Sequence, residues 1–149
     1  MDRDSYQVCI EAAPNPEDIH RLRTNLAAHN IARMDGDDHY EEQLISLRNA
    51  AGELVGGAVV SFFWGMAEIN FLWVHESLRG RGYGRDLLAA AEQEAVRHHC
   101  HYAFLDTFSF QAPGFYERLG YQIVAEIKDY PPGQSKYFLK KALPTGETP

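Results

Sequence analysis

The feature that most constrains this chain is the run Arg79-Gly80-Arg81-Gly82-Tyr83-Gly84. It follows the apolar stretch Ala67 to Val74 and precedes a segment in which Leu87, Leu88, Ala91 and Ala95 recur at helical spacing. A strand, a glycine-rich loop and a helix in that order gather several backbone N–H groups around one concavity. The helix N-terminus adds a fixed positive partial charge, and glycines let a bulky anion approach the backbone. A diphosphate fits such a cradle. Arg79, Arg81 and Arg85 add positive charge there, although the chain as a whole has 14 basic against 21 acidic residues and a net charge of −7. The spacing excludes two familiar nucleotide motifs. Gly80, Gly82 and Gly84 are followed by Arg85-Asp86-Leu87, so no dinucleotide GxGxxG exists, and no GxxxxGK[ST] occurs.

The rest of the chain supplies a frame for that junction. An alternating piece at Tyr6, Val8 and Ile10 reads as a strand, and Asn15 or Pro16 opens a helix with Ile19, Leu22 and Leu26 on one face. His29 to Tyr40 has no period and reads as a loop. Strands follow around Leu44 to Leu47 and over Leu54 to Phe63, where Gly56-Gly57 signals a bulge or bend. The third, Ala67 to Val74, looks the most buried. Beyond the helix, which is expected to end near Arg97 or His98, a strand over Ala103 to Asp106 precedes a short helix. That helix begins at Pro113 and stops at Gly120. Tyr121 to Ile127 and Tyr137 to Leu139 close the pattern around a Pro131-Pro132-Gly133 turn, and the tail from about 144 reads as loose. This order predicts a single α/β (α+β) domain over residues 1–149 with a mixed central sheet flanked by helices.

Two motifs carry a resemblance to the GNAT superfamily of acyl-CoA-dependent N-acyltransferases. Its Arg/Gln-x-x-Gly-x-Gly/Ala signature is met by Arg79, Gly82 and Gly84 after the strand Phe71-Leu72-Trp73-Val74. Its Phe-Tyr-x-x-x-Gly-Tyr/Phe signature is met by Phe115-Tyr116-Glu117-Arg118-Leu119-Gly120-Tyr121. The resemblance implies that acetyl-CoA is the co-substrate and that two parallel strands splay apart to receive it. Its diphosphate would rest on the amides of Arg79, Gly80, Arg81, Gly82, Tyr83, Gly84 and Arg85, and its pantetheine would pair with Leu72, Trp73 and Val74, the Val74 N–H serving the oxyanion. Phe115 would border the same cofactor. Ser109 stands where many members carry an asparagine that touches it.

The same resemblance nominates the catalytic groups. Ala67-Glu68-Ile69-Asn70-Phe71 resembles the segment in which histone acetyltransferases of the superfamily hold a general base, which would be Glu68. Tyr116 matches the tyrosine that donates a proton or hydrogen bond to the departing sulfur. A phenol with a pKa of about 10 stays protonated at neutral pH and suits that role. His29, Asn30, Trp64 and Tyr130 are expected near the acceptor, which is a primary amine of a small molecule or of a protein. A catalytically idle acyl-CoA-binding module is the alternative.

Composition narrows the partners. Net acidity argues against nucleic acid, whose phosphates need Lys and Arg. Cys9 and Cys100 form no metal or disulfide pattern, and no signal-like or membrane-length apolar run occurs, so a cytoplasmic protein is expected. His98-His99-Cys100-His101 looks like metal chemistry but lacks a second ligand group in sequence, so it reads as a solvated helix end and no metal is expected. Exposed edge strands are compatible with a homodimer.

Overall fold

The computed structural model describes residues 6–144, and the chain forms two compact units that divide between Asp38 and His39. The expected loose tail beyond 144 lies outside the described residues. In the first unit, α1 (Pro16–Arg33) begins where Asn15 accepts a hydrogen bond from the Glu17 N–H at 3.0 Å, with proline in the first turn. Glu17 and Asp18 sit in that turn and Arg33 in the last, each opposite in sign to the helix pole it faces. Two expectations fail here. Tyr6, Val8 and Ile10 form no strand, because an alternating pattern makes a strand only where a sheet edge takes it up. Residues 29–33 are helical rather than loop, since Ala27 to Arg33 contains no glycine or proline; the helix stops only where Asp35 and Gly36 turn left-handed, at φ 53° and 81°.

The second unit is built on six strands: β1 (Tyr40–Arg48), β2 (Leu54–Phe63), β3 (Met66–Val74), β4 (Tyr102–Phe108), β5 (Gln122–Lys128) and β6 (Ser135–Ala142). They form one sheet in the order β1-β2-β3-β4-β6-β5, antiparallel except where β3 meets β4. The β2–β3 hairpin closes on Trp64-Gly65, both left-handed, which matches the twist of the strands. α2 (Tyr83–Arg97) packs on one face of the sheet, and α3 (Pro113–Arg118) shares its core. Leu88, Ala91 and Ala95 of α2 meet Ala58, Val60, Phe62, Ala67, Ile69 and Leu105 from the strands, all within a single buried cluster. The alanines on both sides remove bulk and let helix and sheet approach closely. β2, not β3, is the most buried strand, for Phe71 and Trp73 stand 64% and 50% exposed.

Two irregularities shape the sheet. Leu47 pairs with Gly56 but Arg48 with Leu54, so Val55 is the extra residue of a bulge. Val59 pairs with Phe71 but Val60 with Ile69, leaving Asn70 as the extra residue in β3. The glycine pair beside the first bulge has a steric cause. A Cβ on Gly56 would sit 2.9 Å from the Trp73 carbonyl oxygen, and one on Gly57 would sit 2.8 Å from that of Ile45.

The decisive departure from a regular sheet is between β3 and β4. Their parallel pairing has three rungs, Met66 with Tyr102, Ala67 with Ala103 and Glu68 with Phe104, and then stops. Beyond it β3 stays paired to β2 up to Val74, and β4 stays paired to β6 up to Phe108. The two facing edges are left without strand partners. Substituting Gly56 or Gly57 by alanine forces the backbone apart, and each variant is expected to lose about 1–3 kcal/mol of stability in chemical denaturation; an unchanged midpoint would contradict the close approach.

Candidate active-site cleft

Between the diverging edges lies a cleft of about 870 Å³, entirely within the second unit. Its wall on one side is β3 from Ile69 to Val74, on the other β4 from Leu105 to Phe108. The glycine-rich loop closes one end and α3 lies across the opening. Of the residues expected at the cofactor, Leu72, Trp73, Val74, Arg79, Gly80, Gly82, Tyr83, Gly84, Arg85 and Phe115 line this cleft together, as does Tyr116.

The loop is shaped by local chemistry. Gly80 and Gly82 adopt φ of 72° and 88°, which other residues tolerate poorly. Gly82 caps α2 without any side-chain hydrogen bond, and the first helical bond runs from Asp86 N–H back to the Gly82 carbonyl. The amides of Tyr83, Gly84 and Arg85 are thus the donors a helix start leaves without helical partners. Gly84 faces α3, where an added Cβ would lie 3.3 Å from the Phe115 ring. Arg79 turns back on the strand, its Nε donating to the Val74 carbonyl at 3.1 Å, and so ties the loop to the end of β3. Arg85 is drawn toward Asp86, at 3.2 Å, on the surface.

The backbone of β3 faces the cleft in alternation. In an extended strand a residue's N–H and C=O leave on the same side. His75 N–H bonds the Val55 carbonyl of β2, and the Val74 carbonyl instead receives Arg79, so Val74 directs its amide away from β2 and into the cleft. Leu72, two residues earlier, shares that side.

Side chains separate by face. Ala67 and Ile69 point into the core beneath α2, and Phe115 and Tyr116 pack against the same core. Glu68 is cross-strand from Ser61 and Phe104 on the opposite face, at the last rung before the strands part, just outside the cleft's lining. Asn70, the bulge residue, lines the cleft and donates to Ser61 Oγ at 3.1 Å, and Tyr40 Oη lies 3.2 Å from that same oxygen. Burial pushes the Tyr116 phenol above its ordinary value. The deeper Tyr121 phenol is raised further by burial, with the Glu92 carboxylate next in weight, and it lies edge-on to Tyr116 at 5.9 Å.

Other expected residues fall elsewhere. Arg81 does not line the cleft. The Ser109 hydroxyl donates to Gln134 at 2.6 Å and accepts from Ser135 N–H at 3.0 Å, so it fastens the end of β4 to the β5–β6 turn, and it does not line the cleft. Trp64 occupies the β2–β3 turn, five residues before Ile69 where the cleft wall begins, and its ring meets Phe63 edge-on. Tyr130 does come near, its ring 5.8 Å from that of Phe108 on the cleft wall. His29 and Asn30 belong to the last turns of α1 in the first unit. Sequence reasoning missed Asn70, Asp106, Gln111 and Arg118, all of which line the cleft. Asp106 is paired with Lys136 at 3.3 Å, and Gln111 accepts from Thr107 and the Phe108 N–H. Asn70 and Arg118 fall at the unspecified positions of the two motif segments and Asp106 and Gln111 outside them, so only the folded chain brings the four to one place.

Comparison with known proteins adds an independent line. Residues 6–121 match the model of the acetyltransferase (GNAT) family. The chain is 44% identical over 93 residues to blasticidin-S acetyltransferase of Streptomyces morookaense, covering 62% of this chain and 68% of that one. It is 34% identical over 120 residues to acetyltransferase Atu2258 of Agrobacterium fabrum (strain C58), covering 80% and 87%. An acetyltransferase structure from Bacillus cereus ATCC 14579 superposes with a TM-score of 0.82 at 32% identity, over 91% of this chain and 98% of that one. The chain belongs to the acetyltransferase (GNAT) family and is an acyl-CoA-dependent N-acetyltransferase.

Proposed function

We propose that this chain moves the acetyl group of acetyl-CoA directly to a primary amine, with a small-molecule amine as the leading acceptor and a protein amine as the other. The observation that carries the reading is the unpaired β3 edge running into a loop of donor amides, a path that can hold pantetheine at one end and diphosphate at the other. The acceptor class leans on the similarity to blasticidin-S acetyltransferase, whose name gives an antibiotic as its substrate.

In this reading the neutral amine attacks the thioester carbonyl carbon, the C–N bond forms, and the C–S bond then breaks. The strand amides, Val74 N–H first, hold the carbonyl oxygen while it carries negative charge. The two remaining tasks fall on opposite faces of the sheet. Tyr116, on the core side, offers its proton to the leaving sulfur and regains one from the nitrogen as the amide forms; Glu68, on the other face, takes the proton that the ammonium loses before attack. A group threaded between β3 and β4 lies against Tyr116 and ends beside the rung that carries Glu68, which is the geometric reason for pairing these two residues.

A screen of amines with acetyl-CoA, reading free thiol, is expected to show turnover. Glu68→Gln and Tyr116→Phe are each expected to lower kcat by about 10²-fold. Binding of acetyl-CoA with no thiol release across the panel would instead leave an idle acyl-CoA-binding module. The pH profile carries a sign. Because the Tyr116 phenol is raised, its donor persists to higher pH, so the alkaline fall in kcat is expected above the ordinary tyrosine value of about 10 and is absent from the profile of Tyr116→Phe. Gly82→Ala, which strains a residue at φ 88°, is expected to weaken acetyl-CoA binding in calorimetry by about tenfold or more, or ~1.4 kcal/mol; unaltered affinity would remove the loop from the binding site.

A further inference from the structure

A second cluster of functional side chains lies where β1 begins and α2 ends, and none of its members lines the cleft. His39 immediately precedes β1 and Glu41 is the second residue of that strand. Glu41 shares a face with Phe62, its cross-strand partner. His98, the C-cap residue of α2, stacks its ring on Phe62 at 4.2 Å between centroids and 4° between planes. That stacking brings His98 Nδ1 to 3.7 Å from Glu41 Oε2. The Gln43 amide joins the pair from below, donating to Glu41 Oε1 at 2.8 Å and lying 3.3 Å from His98 Nε2. The His39 ring stands 6.0 Å from that of His98. One ligand atom from each of His39, Glu41 and His98 falls within 4.8 Å of the others.

The geometry points to a site for a divalent transition metal of zinc type, held by His39, Glu41 and His98 with water completing the shell. The second ligand group that the His98-His99-Cys100-His101 run lacks in sequence comes from β1. A tetrahedral ion with bonds of about 2.0–2.1 Å holds its ligand atoms about 3.3 Å apart. The His98–Glu41 separation of 3.7 Å is already close to that, and the three ligand atoms lie within 4.8 Å of one another before any ion draws them in. Two imidazoles and one carboxylate suit zinc, cobalt or nickel and disfavour magnesium and calcium, which take oxygen donors. Gln43 Nε2 donates to Glu41 Oε1 at 2.8 Å and leaves Glu41 Oε2, the oxygen near His98 Nδ1, for the ion. Gln43 is therefore an outer partner that orients a ligand. The ion would tie the first strand of the sheet to the end of the helix that starts at the phosphate cradle, so its effect is on stability rather than on acetyl transfer.

The test is titration of the full, tag-free chain with Zn²⁺ in calorimetry, with Mg²⁺ as the comparison ion and thermal unfolding alongside. One equivalent of Zn²⁺ with a rise in Tm, and no rise with Mg²⁺, is expected. His39→Gln and His98→Gln should each weaken Zn²⁺ binding by at least the about 10–100-fold that loss of an outer partner brings, and Gln43→Ala by about tenfold. His99→Gln and His101→Gln should leave it unchanged. Because His98 also packs on Phe62, circular dichroism of its variant is read beside that of His39→Gln, which removes a ligand from an exposed position. Absence of stoichiometric binding, or equal binding by wild type and a folded His39→Gln variant, overturns the site.

Discussion

Everything functional in this fold depends on parallel pairing that stops after three rungs. At Glu68 and Phe104 the strands β3 and β4 still share hydrogen bonds; one residue later they do not, and each is held to its other neighbour for the rest of its length. Leaving backbone donors and acceptors unpaired inside a sheet is costly unless something else satisfies them. Here solvent, or a ligand with peptide-like groups, can do so, and the antiparallel pairs on both sides keep the gap from closing. The Asn70 bulge adds to this by turning the β3 backbone at the point where the strands separate.

The divergence also gives the cleft two unlike sides. α2 and α3 bury one face of the sheet with alanines, leucines and the Phe115-Tyr116 pair, whereas the other face carries Glu68, Asn70, Ser61 and the Asp106–Lys136 pair. A dry side favours a protonated phenol, and a hydrated side favours a carboxylate that can exchange protons. The proposed assignment of leaving-group and acceptor chemistry to opposite faces draws on this asymmetry and not on any single residue.

Much of this was legible in the sequence. The glycine loop, the helix from Tyr83 to Arg97, Pro113 at a helix start and the exact span of β2 are written in local signals, because glycine, proline and apolar period act over a few residues. Local signals fail where partners decide. Val8 and Ile10 alternate like a strand but find no edge, and the apolar look of β3 hides that Phe71 and Trp73 stand exposed beside an opening. Ser109 sits at a motif position, yet its hydroxyl is spent on Gln134 and Ser135, residues from a turn that no local window links to it. Asn70, Asp106 and Gln111 come to the cleft only through the sheet order, which is non-local by nature.

The bond from Arg79 to the Val74 carbonyl, small as it is, turns the site into a ruler. It fixes the anion-holding loop against the end of the strand whose amides follow the rest of the ligand, so the span between the two is set by covalent chain and one short strap. A molecule whose charged group and carbonyl are separated by a different length cannot satisfy both ends at once. In the proposed reading, selectivity for the donor is then a matter of reach, set apart from the choice of amine.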